Sequence, residues 1–202
     1  MPDHFDLIVL GSGSSGSTVA KKASEYGMSV AIVENREFGG TCALRGCNPK
    51  KVLTRSAEYM DLIRTMDGRL IRKGNAHLDW STARQFQRTF VDPVPESEKA
   101  SLEEAGVETF QGEPTFTGPR KLEVGGRPLT ADRFVIATGS KPSPLDLPGF
   151  ERLTTSDEFL FLDDLPKSIV FLGGGVHLRG VRDNRRGIRL RRDGRGTGGA
   201  DP

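Results

Sequence analysis

Both cysteines of the chain lie in one short stretch, Gly39-Gly40-Thr41-Cys42-Ala43-Leu44-Arg45-Gly46-Cys47-Asn48-Pro49-Lys50-Lys51. Zinc is poorly served there, because a knuckle needs further Cys or His ligands nearby and no histidine is close in sequence. A disulfide needs Cα atoms within about 7 Å, whereas residues five apart on a regular helix lie about 8.7 Å apart. A bridge therefore requires a distorted turn. Gly46 supplies backbone freedom for one, and Pro49 limits regular structure just beyond. So short a loop removes little chain entropy on closure, so redox cycling is a better rationale for a bridge than stapling the fold. Two incidental thiols are the remaining reading.

A second chemistry-bearing stretch lies upstream. Residues 5–10, Phe-Asp-Leu-Ile-Val-Leu, read as a buried strand running straight into Gly11-Ser12-Gly13-Ser14-Ser15-Gly16. A helical stretch over 18–25 follows, closed by Gly27, and then a second strand over 29–33 ending at Glu34. A lone G-x-G-x-x-G is weak evidence. Here it sits between strand and helix, with an acidic residue eighteen positions after the last glycine, which is the dinucleotide fingerprint. Gly11 makes the tight turn, Gly13 admits a pyrophosphate close to the backbone, and Gly16 lets helix pack on strand. The amides of Ser14 and Ser15 and the helix dipole face the phosphates, and Glu34 accepts from the ribose hydroxyls of an adenine dinucleotide.

The remaining elements must carry these two stretches. Residues 50–66 read as a helix with Val52, Leu53, Tyr59, Leu62 and Ile63; 67–94 is mixed, with Trp80 a packing residue. Pro93 and Pro95 mark a loop before a helix over 97–105 capped by Gly106. Residues 107–124 and 129–138 form a β-meander returning to the sheet. An apolar strand then ends in the small-residue turn Thr138-Gly139-Ser140, and 168–172 is a further strand running into Gly173-Gly174-Gly175.

The pattern Gly-Gly-Thr-Cys-x4-Cys-x-Pro-Lys-Lys resembles the redox motif of the class I pyridine nucleotide-disulfide oxidoreductases, the family of glutathione reductase, dihydrolipoamide dehydrogenase and mercuric reductase. Leu44 stands where that family usually has Asn. The resemblance implies an α/β fold, a Rossmann-like FAD-binding domain with parallel sheet and β-meander over 1–150. It also implies a linker and first strand of an NAD(P)-binding domain over 151–175, where the resemblance stops; by composition 176–202 reads as a basic, disordered, out-of-frame tail. It implies that NAD(P)H reduces FAD and FAD reduces a Cys42–Cys47 disulfide, with Cys47 nearer the flavin and Cys42 meeting a small-molecule disulfide substrate. Gly40 and Thr41 would touch the cofactor, as would Thr138, Gly139 and Ser140. Lys50 and Lys51 would place positive charge near the flavin, or else form a solvated helix face. A homodimer is implied for the intact family member.

Composition sets the remaining bounds. The 202 residues include only 35% hydrophobic residues, low for one compact domain, and the deficit sits after Gly175. Of the 29 basic residues, eight arginines fall in 176–202 against three aspartates, leaving 21 basic and 24 acidic residues in a mildly acidic body. Residues 1–6 lack a basic region followed by an apolar core, so no secretory signal is expected, and no apolar run approaches a membrane span. A cytoplasmic location, no membrane and no resident metal follow as expectations.

For the tail itself, nucleic-acid binding through its arginines and a disordered end compete with out-of-frame translation. A one-base shift permits YISAEFATIAAGFGSAVTVVERGERIL, which restores a helix, a glycine break and a strand, and this third reading is the expectation. Nucleic acid is then not an expected partner, although a non-catalytic nucleotide-binding fragment with a nucleic-acid-contacting tail is the alternative. Lacking the family's later segments and their His–Glu pair, the chain as it stands is expected not to turn over.

Overall fold

Apolar runs bounded by glycine dictate the sheet. In the computed structural model, which describes residues 3–172, the elements follow as β1 (Asp3–Leu10), α1 (Ser14–Glu25), β2 (Val30–Glu34), α2 (Gly40–Leu44), α3 (Cys47–Met66), α4 (Trp80–Val91) and α5 (Val94–Glu104). Then come β3 (Val107–Gln111), β4 (Pro114–Gly118), β5 (Lys121–Val124), β6 (Arg127–Ile136) and α6 (Ser156–Phe159). One six-stranded sheet runs in the order β3-β2-β1-β6-β5-β4. The strands β3, β2, β1 and β6 are mutually parallel, while β5 turns back antiparallel against β6 and β4 antiparallel against β5.

Both faces of the central strands are covered, which is why β1 and β2 are apolar at consecutive rather than alternate positions. Ile8, Leu10, Ala31 and Val33 face one way and meet Leu122, Val124, Leu129 and Ala131 of the meander. Leu7, Val9, Val30 and Ile32 face the other way, onto Ala20 of α1 and Leu102 of α5. Register places Leu10 opposite Val33 on one side and Ile136 on the other, so three strands end side by side.

Several elements depart from the pattern reading. Residues 107–111 are not part of the meander: β3 joins the parallel sheet beside β2, Val30 opposite Val107, and the meander is β4-β5-β6. The prolines Pro93 and Pro95 do not make a loop but open α5, since amides of a first helical turn lack acceptors in any case. The mixed region 67–94 contains α4, whose N-cap Asp79 accepts from the Thr82 amide at 2.6 Å. The helix over 50–66 starts earlier, at Cys47. Trp80 is half-buried against Leu53, Ala83 and Leu160 and donates to the Leu162 carbonyl at 3.0 Å. Residues 168–172 carry no strand, because a strand needs a paired neighbour and no described strand runs beside it. The arginine-rich stretch 176–202 and its out-of-frame reading lie outside the described residues.

Leu129 is fully buried where meander meets sheet, while Tyr59 is 63% exposed on α3. Leu129→Ala is expected to cost about 2–5 kcal/mol and Tyr59→Ala within about 0.5 kcal/mol. Urea unfolding midpoints of the two variants check this; equal midpoints would contradict the assigned core.

Candidate functional site

The carboxyl ends of β1, β2 and β6 end together, and ligands of open α/β sheets bind outside that edge. There the chain turns out at Gly11, whose amide donates to the Val33 carbonyl at 2.7 Å, while the Ala137 amide donates to the Leu10 carbonyl at 2.8 Å. Gly11 has φ +102°, and a Cβ on it would strike the Ala137 carbonyl. A Cβ on Gly16 would strike the Gly11 carbonyl, and one on Gly40 would strike the Gly13 backbone. Glycine is thus required where three pieces of backbone touch.

The result is a cleft of about 520 Å³. Of the sequence-predicted residues, Gly11, Gly13, Ser14, Ser15, Glu34, Gly40, Thr41, Cys42, Thr138, Gly139 and Ser140 line it. Gly16 lies buried behind the turn, and Cys47, Lys50 and Lys51 do not line the cleft. The helix α1 has Gly13 as its N-cap and no acidic residue in its first turn. Its first bond runs from the Ser17 amide to the Gly13 carbonyl, so the amides of Ser14, Ser15 and Gly16 are those a helix leaves without an internal acceptor.

Glu34 is buried, 7% exposed, at the end of β2. Its Oε2 accepts from the Ser12 amide at 2.9 Å and the Ser12 hydroxyl at 2.6 Å, and its Oε1 accepts from the Arg36 amide at 2.9 Å. These bonds hold the Glu34 side chain at the cleft wall, and no salt bridge to it forms among the described residues.

The cysteines straddle a break between two helices. The Arg45 amide closes α2 onto the Thr41 carbonyl at 2.8 Å, and the Lys50 amide opens α3 onto the Gly46 carbonyl at 3.0 Å. Pro49 falls in the first turn of α3, where its missing N–H costs nothing. Both cysteines are exposed free thiols, and the break brings them into contact. Their side-chain hydrogen bond is the main influence that raises the Cys42 pKa, with burial and the neighbouring Cys47 charge adding to it. The Cys47 amide and the Lys51 charge act the other way.

Pattern reading missed other cleft residues. Arg45, between the two cysteines, lines the cleft and pairs with Glu37 at 2.7 Å, while its Nε is buried without a partner. The Glu37 carboxyl titrates below its ordinary range, first because its own backbone amide bonds it and then through Arg45 and Arg36. Asn35 donates to Glu113 at 2.6 Å across the cleft mouth. Ser12, 1% exposed, lies beneath the wall. A cation inside a cysteine motif and a hydroxyl inside a glycine turn were the available signals.

This edge can take an extended nucleotide: close-approach glycines and free amides for phosphate, a buried carboxylate for sugar hydroxyls, and a thiol at one end for electrons. The class is an α/β Rossmann-like domain carrying a dithiol. The family model described as pyridine nucleotide-disulphide oxidoreductase matches residues 5–177, and the chain belongs to that family. It is 38% identical over 175 residues to a glutathione reductase of Nostoc sp., covering 87% of this chain and 38% of the relative. A dihydrolipoyl dehydrogenase of Mycoplasma genitalium is 34% identical over 179 residues, covering 85% of this chain and 39% of the relative. The chain thus spans about two fifths of the length of these relatives. Among solved structures, the Cu(II) complex of HOCl-induced flavoprotein disulfide reductase RclA from Escherichia coli superposes with a TM-score of 0.78 over 94% of this chain and 42% of that one, at 23% identity. That likeness speaks for the fold. No described helix is long and apolar enough to cross a membrane.

Because Cys47 is the main cause holding the Cys42 pKa up, its removal should lower it. In Cys47→Ala, the pH profile for iodoacetamide alkylation of Cys42 is expected to move to lower pH, with more thiolate at neutral pH. Mass-spectrometric rates between pH 6 and pH 10, compared with the Cys42 rate in the wild type, check this; a profile unmoved or moved upward would contradict the contact.

Proposed function

We propose that this chain contributes the flavin-binding and dithiol part of an NAD(P)H-dependent disulfide oxidoreductase. The observation that carries the reading is that Cys42 lines the same cleft as Gly13 and Glu34. The residues present suit FAD: Gly11, Gly13 and Gly40 line the cleft where backbone packs so closely that a Cβ on Gly11 or Gly40 would collide with it, and Glu34 offers a carboxylate to its ribose. When bound, FAD supplies the two electrons, taken from NAD(P)H, that open a Cys42–Cys47 bridge.

The chain's own groups account for the rest. Gly11, Gly13, Ser14, Ser15, Gly16, Glu34, Gly40 and Thr41 would hold the adenosine diphosphate half, with Thr138, Gly139 and Ser140 on the other wall of the cleft. In the dithiol form, the Cys42 thiolate attacks one sulfur of a small-molecule disulfide, and the departing thiolate takes a proton. Cys47 then attacks the Cys42 sulfur, releases the second thiol and restores the bridge. One disulfide is reduced to two thiols as one dithiol is oxidised. Lys51, whose charge favours the Cys42 thiolate, and Lys50 are the cations of this end. The domain division at residues 150 and 175 belongs to the same reading, as do a homodimer and a cytoplasmic setting.

The test mixes residues 1–202 with FAD, passes them over a desalting column, and counts reactive thiols before and after exposure to a small disulfide. Flavin is expected to co-elute, and both cysteines to become unreactive together in the wild type but not in Cys42→Ser or Cys47→Ser. Flavin left behind, or thiols that do not close, would overturn the reading.

A further inference from the structure

We propose that Ser12 is a positioning residue for nucleotide binding, acting through Glu34; the proposal rests on the dinucleotide reading above. The fingerprint leaves the position between the first two glycines of the turn open. Here it carries a hydroxyl, and the structure uses it fully. Ser12 is 1% exposed and does not line the cleft, so a bound nucleotide does not reach it.

Its bonds run in one direction. The Gly39 amide donates to Ser12 Oγ at 3.1 Å, and that hydroxyl donates to Glu34 Oε2 at 2.6 Å. A hydroxyl has one proton, so with Gly39 as donor on one side, the proton is committed to the carboxylate. The Ser12 amide bonds the same oxygen at 2.9 Å, and the Ser17 hydroxyl holds the Ser12 carbonyl at 2.9 Å. The serine is therefore tied at its amide, hydroxyl and carbonyl, and it fixes the carboxylate in turn.

The consequence is a count. A carboxylate offers about four acceptor directions. Ser12 fills two and the Arg36 amide a third, leaving one for a ligand hydroxyl. Ser12 thus converts a carboxylate that could turn and accept from water into one aimed at a single hydroxyl of a ribose. Its loss should weaken nucleotides that have such a hydroxyl and leave others alone.

ADP and 2′,3′-dideoxy-ADP, titrated calorimetrically into residues 1–202, separate this from a general loss of structure. The wild type is expected to prefer ADP. Ser12→Ala should lose about tenfold in ADP affinity, the effect of one hydrogen bond to a charged group, with dideoxy-ADP changing less than about twofold. In a Glu34→Gln background the same substitution should cost ADP less than about twofold, because no charged acceptor remains. Should Ser12→Ala not fold by circular dichroism, Ser12→Gly, which adds no atom, is read in the same way. Equal losses for both nucleotides, or a full tenfold loss in the Glu34→Gln background, would overturn the role of Ser12. A wild type that binds neither nucleotide would instead overturn the dinucleotide reading, and the Ser12 proposal with it.

Discussion

Backbone meets backbone at the carboxyl edge of the sheet, and every feature of the site depends on that contact being possible. The Gly16 Cα lies against the Gly11 carbonyl, Gly11 against Ala137, and Gly40 against Gly13, each so close that a methyl group would collide. These contacts join the first crossover helix, the return strand β6 and the cysteine loop at one place. Forced side-chain insertion costs a packed site of this kind about 1–3 kcal/mol. That is a large share of the few kcal/mol by which a domain is stable. The glycines therefore do more than permit a turn; they set how near the cysteines come to the nucleotide edge.

Hydrogen bonds then convert proximity into orientation. The chain from Gly39 through Ser12 to Glu34 crosses from the cysteine loop to the end of β2 within the interior. Burial makes those bonds worth more than their solvent-exposed counterparts, since an unpaired partner there would forfeit its hydration. By contrast, the ion pairs of Arg127 with Asp3 and Glu108 have partners about half exposed. They contribute at most about 1 kcal/mol each. The core of Ile8, Ile32, Leu102 and Leu129, all fully buried, stabilises the sheet. The Ser12 network fixes the Glu34 carboxylate at the edge of that sheet.

A stripe on one helix ties residues 160–162 to α4. Along α4, Trp80 and Arg84 both donate to the Leu162 carbonyl, and Gln87 donates to that of Leu160. Arg84 also stacks its guanidinium 5.2 Å from the Phe161 ring centre, and burial lowers its pKa. That segment is thus held by carbonyl bonds as well as by apolar packing, so its position depends on α4 being formed.

Much of this was legible in the residues. The glycine spacing, the acidic residue at the end of the second apolar run and the Cys-x4-Cys pattern determine a nucleotide-type turn and a thiol pair, because those features arise from local φ/ψ limits and fixed spacing along one strand–helix–strand unit. Gly46 was legible as backbone freedom for a bend, whereas the short helix α2 before it was not. What only the tertiary structure decided is which distant stretches share a wall. That β3 joins the parallel sheet while β4 and β5 form the meander depends on pairing, and a short apolar run is equally suited to either. The prolines at 93 and 95 are compatible with a loop or with a first helical turn, and the structure takes the second, starting α5 at Val94. The bond from Ser12 to Glu34 spans 22 positions, and that from Gly39 back to Ser12 spans 27. No periodicity records such pairs, since hydrogen bonds across the interior exist only once the sheet has brought three strand ends to one edge.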